Sequence, residues 1–448
     1  MRKVVLFLAT WWVLIYSNAR MADALPTYKV VHLFPIPQPV RILELLLIVF
    51  LYVLALATKM TKRILILNLC ILGYLIIAIA ALVLGGNVSL DAIQDIYIRV
   101  APFLFFVVVL QGSQIMRSEL IFFTKFFTVA ISLSAVIALL YQIPFYGYYE
   151  DNINGFFEDA HMFGDYLAVF SIVFFYDYIK TKKYSSLFWS FGFLLISTFP
   201  KNEKVIAINI FIIGVLFVYD LIRRARGVLT KMSVVTALFI LFFSGIAYIM
   251  SIKDTNENLR RANIAINTIG VENIGPTLAW PIAFNEIKKS GFDFFFGVGA
   301  GQYGWIAASR SVAAGNASVH SKLFEFEFNL DNENNSGFLF RTNTWSSLLA
   351  EYGIVGFVLF LVSLVLIVKG VKSYKTTDRL ERNLKAAFYS LLALVVLQGF
   401  FTPYSNWSSS ALTFPMMYLA AHFHQSSYYP QEENNKEDDL QIDSLLKT

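Results

Sequence analysis

Arg341-Thr342-Asn343-Thr344-Trp345-Ser346-Ser347-Leu348-Leu349-Ala350-Glu351-Tyr352-Gly353-Ile354-Val355-Gly356 is the boundary on which the reading of this chain turns. Upstream of it, Ser251 to Trp345 is the one long polar segment, with eight Lys/Arg and no apolar run of spanning length. Everything before Ser251, and nearly everything after Trp345, is a succession of apolar runs. Irregular polar chain is not tolerated against lipid. A segment of this size between two spans therefore lies on one side of a membrane, and we read it as the cover of a site at the bilayer surface.

Composition agrees. Of 448 residues, 57% are hydrophobic and 15% charged, where a soluble protein carries about a quarter charged residues. Forty-three Phe and 23 Tyr suit lipid-facing surfaces and interfacial belts. The apolar runs are continuous rather than alternating, which excludes a β-barrel. The net charge of +5 gives no reason to invoke nucleic acid. Cys70 is the sole cysteine, so neither an internal disulfide nor a cysteine metal cluster is available.

A span needs about 20 mostly apolar residues. The sequence offers about twelve candidates, at 4–18, 41–58, 64–84, 96–112, 120–142, 162–179, 186–199, 204–221, 232–251, 346–368, 386–402 and 409–424. The expectation is an all-α polytopic membrane protein: nine helices in 1–250, a large loop carrying short helices in 251–345, three helices in 346–424, and an acidic disordered tail in 425–448. The first run follows Met1-Arg2-Lys3. It reads as an uncleaved helix, with a signal peptide cut near Ala19 to Ala24 as the alternative.

Charge sets the orientation. One set of alternate connections holds 19 Lys/Arg, among them Lys59, Arg117, Lys180, Lys182, Arg223, Lys369, Arg379 and Arg382. The opposite short connections hold five: Arg20, Lys29, Arg41, Lys201 and Lys204. By the positive-inside rule the first set is cytoplasmic, both termini with it. The 251–345 loop is then extracytoplasmic, and periplasmic in a Gram-negative cell.

Several features on the outer side point to chemistry. Lys201 and Lys204 break the charge rule within one short connection. They suggest an anionic ligand at that depth, such as a lipid-linked phosphate or pyrophosphate; the alternative is a solvated turn with Glu203 as counter-ion. The run Phe296-Gly297-Val298-Gly299-Ala300-Gly301-Gln302-Tyr303-Gly304-Trp305 lacks the strand and helix of a dinucleotide site. It reads as a sharp turn where backbone approaches a helix or ligand closely. Tyr303 and Trp305 suit stacking on a sugar or an interfacial position. Ala279 to Ser290 reads as an amphipathic helix on the bilayer surface.

The start of the helix after Arg341 presents free N–H groups and partial positive charge, a place for an anion. Glu351 lies about two turns inside the apolar run; it is a functional group by default, with a helix-pairing carboxylate as the alternative. The connection through Glu150, Asp151, Glu158, Asp159, His161 and Asp165 is acidic. His161 is the best placed histidine for general acid–base work, with His320 second. Arg99 either snorkels to the headgroups or joins the anion site.

The order of these features resembles the O-antigen polymerase and O-antigen ligase family of membrane glycosyltransferases. The residues that carry the resemblance are Gly297 to Gly301, then Asn343, Leu348, Glu351, Gly353 and Gly356. Phe157 to Phe163 and Ser197 to Lys204 stand where the family has further polar motifs. Thr342 occupies the place of a histidine usual in the ligases, and lysines replace an arginine at the earlier motif; both departures favour the more variable polymerases. The resemblance implies a GT-C-like fold in the bacterial plasma (inner) membrane, acting on an undecaprenyl-pyrophosphate-linked glycan among membrane lipids.

It also implies polymerisation of repeat units into O-antigen, capsule or exopolysaccharide, with a chain-length regulator and a flippase as potential partners. Lys201, Lys204, Arg341 and Arg99 are the expected pyrophosphate-binding residues, and His161 or Glu351 the base. Asn343, Trp305, Tyr303 and His320 are expected to contact the glycan. No cofactor or metal is required if the cations carry the charge. Two alternatives stay open: ligase-type transfer to a lipid or protein acceptor, and a polytopic transporter or flippase.

Overall fold

The computed structural model describes residues 38–57, 60–84, 90–112, 114–146, 153–155, 157, 160–200, 203–224, 275–299, 303, 343–400 and 410–428, with a few isolated positions besides. Among the described residues regular structure is helical throughout, with no strand. The helices are α1 (Gln38–Leu56), α2 (Lys62–Leu84), α3 (Leu90–Gln111), α4 (Arg117–Ile137), a π-helical turn (Ala138–Gln142), α5 (Ile143–Tyr146), α6 (Ala160–Thr181), α7 (Tyr184–Ile196) and α8 (Glu203–Arg224). There follow α9 (Gly275–Ile287), α10 (Gly291–Phe296), α11 (Thr344–Ser373), α12 (Arg379–Gln398) and α13 (Ser410–Tyr428).

Among the described residues, five stretches are long and apolar enough to cross a membrane: Ile64–Val83, Arg117–Phe145, Ala160–Thr181, Val205–Arg223 and Thr344–Ser373. Leu46–Leu56, Arg99–Gln111 and Tyr184–Ile196 are shorter apolar helices. Ten of the twelve runs expected from sequence fall on described helices; 4–18 and, apart from Met232 and Thr236, 232–251 lie outside the described residues. The outer faces carry large apolar side chains, such as Phe50 and Val53 on α1, Leu69 and Ile76 on α2, and Phe211 and Phe217 on α8. Contiguous apolar surface of this extent is a liability in water and the natural outer surface in lipid.

The centre of the bundle is α3 with α13. Every residue from Phe103 to Leu110 on α3, and from Leu412 to Gln425 on α13, is buried. A helix apolar all round belongs in the interior rather than at a lipid boundary. Helix α13 packs on α3, α11 and α12; α2 packs on α11; α6 carries α7, α8 and α12. Gln425 ties the centre together: its Nε2 donates to the Val109 and Leu110 carbonyls and its Oε1 accepts from the Ile115 N–H. Those carbonyls close α3, where helical acceptors run out of partners.

Polar contacts collect at two ends of this bundle. At one end Arg117 pairs with Asp378 (3.1 Å), Arg379 with Asp177 (2.7 Å) and Lys182 with Asp220 (3.1 Å), while His422 lies 3.6 Å from Glu381. Each of these cations apart from His422 belongs to the lysine- and arginine-rich set of connections. At the other end Arg99 pairs with Glu351, Gln398 donates to Asp165, and the Thr344 N–H donates to the Gly399 carbonyl.

Candidate functional site

The second end is organised by a backbone-to-backbone contact. Helix α10, capped by Ser290 through the Asp293 N–H, stops at Gly297. The chain then lies on α11: the Val298 N–H donates to the Ala350 carbonyl (2.9 Å) and the Gly299 N–H to that of Glu351 (3.2 Å). Those carbonyls are available because α11 breaks at Gly353, with φ 62° and ψ −174°. Gly297, at φ +83°, faces the break. A β-carbon on Gly297 would stand 2.3 Å from Glu351 backbone atoms, and one on Gly353 would stand 2.5 Å from those of Phe295. Both positions need glycine twice over, for φ and for space.

The side chain of Glu351 completes the joint. It is fully buried, and its Oε2 accepts from Arg99 Nη2 at 2.8 Å. Its Oε1 accepts from the Tyr303 N–H at 3.1 Å. Arg99 also lies over the Tyr352 ring, 5.4 Å from its centroid. The Tyr303 hydroxyl donates to the Ala279 carbonyl at 3.0 Å, bringing α9 into the same cluster. One carboxylate thereby holds α3, α11 and the glycine turn together. Removing one partner of such a buried pair costs about 3–5 kcal/mol, because the other charge is left in an apolar surrounding.

Helix α9 lies along α11 with Ala279, Ala283 and Ile287 inward. Trp280 meets Phe357 edge-on at 6.4 Å. Lys288 and Lys289 point outward. The amphipathic pattern over 279–290 is therefore spent partly on the protein itself.

Asn343 starts α11. Its Oδ1 accepts from the Ser346 N–H at 2.7 Å, and the Ser346 hydroxyl accepts from the Asn343 N–H at 3.3 Å, a reciprocal cap. With the Thr344 N–H given to Gly399, two of the N–H groups expected to hold an anion already have acceptors. Trp345 Nε1 donates to the Val396 carbonyl at 3.1 Å, docking this first turn on α12.

His161 is the second residue of α6 and is exposed. One turn further, Asp165 is buried and accepts from Gln398 Nε2 at 2.7 Å. Just upstream, Ile153, Asn154, Gly155 and Phe157 are buried. They are pinned to the π-helical turn by Gln142, which donates to Asn154 Oδ1 (2.9 Å) and accepts from the Gly155 N–H (2.9 Å). A π-turn at this point spends an extra residue to aim one side chain inward.

Of the residues singled out from sequence, Arg99, Glu351, Tyr303 and Asn343 fall in this one region. His161 stands on the same end of the bundle, at the head of α6. Lys204 lies in the first turn of α8, and its side chain, like Lys201, Arg341, Trp305 and His320, lies outside the described residues. Sequence reasoning named Arg99 and Glu351 separately and did not pair them. It gave Asp165 no role and passed over Asp177, which is buried and held by Arg379, Asn383 and Ser186. The available signal was the same each time: an ionisable residue inside an apolar run has to find a partner.

The chain matches no protein-family model, and no curated protein is significantly similar to it. The fold and the distribution of polar groups define a helical membrane protein.

Proposed function

We propose that this protein polymerises lipid-linked oligosaccharide repeat units into a surface polysaccharide at the outer face of a bacterial plasma membrane. The observation that supports this reading is the joint itself. The two short motifs behind the family resemblance, Gly297 to Gly299 and Glu351 to Gly356, are some fifty residues apart and interlock through paired glycines. A degenerate match in sequence would not need its two halves to meet.

In this reading the hydroxyl of the acceptor sugar attacks the anomeric carbon of the donor with inversion. The new glycosidic C–O bond forms as the bond to the pyrophosphate breaks. The pyrophosphate leaves with the electron pair, and the hydroxyl proton passes to a base. Most of the barrier is then charge development on the leaving group, which fixed cations lower. Lys201, Lys204 and Arg341 take that role, and His161, open to solvent at the head of α6, takes the proton. Both carboxylate oxygens of Glu351 already accept hydrogen bonds. Glu351 and Arg99 accordingly act as positioning residues that hold Tyr303 and the Gly297–Gly299 turn against α11 and α3.

The test is Lys201→Ala with Lys204→Ala in the intact chain. Each lost cation should lower the rate about 10²–10³-fold, so long glycan chains disappear while the protein still reaches the membrane. Normal chain lengths in the double variant would rule out the phosphate role. A strain lacking the protein should keep single repeat units on the acceptor; their loss as well would favour ligase chemistry instead.

A further inference from the structure

The opposite end of the bundle carries a feature that the polymerase reading does not use. Three cations stand there on three mutually packed helices: Lys180 in the last turn of α6, about one turn past Asp177; Arg223 at the close of α8, about one turn past Asp220; and Arg382 in the first turn of α12, about one turn past Arg379. Two ion pairs clamp these helix ends together. Arg379 grips Asp177 through two hydrogen bonds, of 3.0 and 2.7 Å, and Lys182 pairs with Asp220 at 3.1 Å. Asp177 is thereby held by a neighbour of the three cations, and Asp220 is held by Lys182 while also acting on Lys180. Lys180 lies in the field of both Arg223 and Arg382, with Asp220 opposing. Tyr176 feels the same two arginines. Among the described residues no acid forms an ion pair with Lys180, Arg223 or Arg382. The Arg382 Nε is buried without a hydrogen-bond acceptor.

Like charges gathered on a rigid frame repel one another, and a buried guanidinium N–H without an acceptor costs free energy. An anion among them would relieve both penalties. The surroundings indicate where that anion lies. Helix α8 presents Phe211, Val215 and Phe217 outward; Tyr219, about one turn before Arg223 on the same helix, and Tyr184, at the start of α7, stand 61% and 79% exposed. Apolar rings leading to tyrosines and then to cations is the order of a bilayer running into its headgroup layer.

We propose that Lys180, Arg223 and Arg382 form a phosphate-binding site at the lipid edge of the bundle's positively charged end. The chemistry recognised is a phosphate, carried by an anionic lipid headgroup or free in solution. Arginine supplies paired donors for it and lysine a point charge.

The full-length protein, purified in detergent, is titrated with phosphatidylglycerol, with phosphatidylcholine and with inorganic phosphate, while thermal unfolding and retained lipid by native mass spectrometry are followed. Phosphatidylglycerol should raise Tm and remain bound, and phosphatidylcholine should do neither. The variant Lys180→Gln/Arg223→Gln/Arg382→Gln should bind at least tenfold more weakly. Protection by inorganic phosphate at comparable concentration, in competition with phosphatidylglycerol, assigns the site to a soluble phosphate; protection by the lipid alone assigns it to a headgroup. Wild-type protein indifferent to both probes, or a triple variant that binds as wild type does, overturns the site. Should the triple variant fail to fold, the single variant Arg223→Gln decides. Arg223 is exposed at a helix end, so its loss spares the core; unchanged binding there also overturns the site.

Discussion

Breaking the Arg99–Glu351 pair, one partner at a time and then both, tests the joint between α3, α11 and the glycine turn. In Arg99→Met the Glu351 carboxylate stays buried with the Tyr303 N–H but without the guanidinium 2.8 Å away. An orphaned charge of this kind costs about 3–5 kcal/mol. In Glu351→Gln the amide offers one acceptor and one donor, whereas Tyr303 N–H and Arg99 Nη2 both donate. Whichever way the amide turns, one donor faces another, at a cost of about 1–3 kcal/mol for the neutral case and more for the charged one. In the double variant Arg99→Met/Glu351→Gln the amide oxygen serves the Tyr303 N–H, and its nitrogen faces a thioether. Only about 1–2 kcal/mol should then be missing. The double variant should therefore be more stable than the sum of the singles by about 2 kcal/mol or more, the sign of coupling expected of residues in contact. Unfolding of the full-length protein in mixed micelles, titrated with a denaturing detergent, reads this directly. The glycan chain-length profile should follow stability and recover in the double variant, as befits positioning residues. Additive losses would refute the pairing. A stable double variant with no long chains would instead put Glu351 in the chemistry.

Three further outcomes follow from the same geometry. Gly353→Ala places a β-carbon 2.5 Å from the Phe295 carbonyl in a backbone region that costs about 1–3 kcal/mol for side chains; with the loss of the Val298 and Gly299 hydrogen bonds, destabilisation should reach about 3 kcal/mol or more, measured by Tm. Asn343→Ala should lose about 1 kcal/mol through the missing cap on α11, while Asn343→Asp, which caps equally well, stays near wild type. Glu381 gives a pH signature. Burial would raise its carboxyl, but His422 at 3.6 Å, with Thr376 and Tyr374 donating at 2.6 Å, outweigh it and hold the group at about 2. A depressed carboxyl adds stability above its unfolded pKa of 4.5 and loses it as pH falls through about 2. The stability gap between wild type and Glu381→Gln, about 3 kcal/mol at most, should therefore narrow from pH 5 toward pH 3; a constant gap would refute this.

The fold was largely legible in the chain itself. A spanning run is a local property: about 20 apolar residues in sequence satisfy their own backbone hydrogen bonds as a helix whatever surrounds them. Hence ten of the expected runs fall on described helices. The glycine turn was also readable, since Gly297-Val298-Gly299 allows a backbone approach that residues with a β-carbon forbid.

Pairing was not readable. Arg99 and Glu351 are 252 positions apart and Asp177 and Arg379 are 202 apart; at a given membrane depth several cations or acids would satisfy each equally well. Tertiary packing chose among them, because helix order in the bundle decides which side chains share a level. The sequence by itself determined that the chain is a bundle of membrane helices with polar ends. The tertiary structure alone decided that the Glu351 carboxylate clasps a turn instead of lying open to a substrate, since a charge sealed from water takes whichever donors the packed helices bring within 3 Å or so.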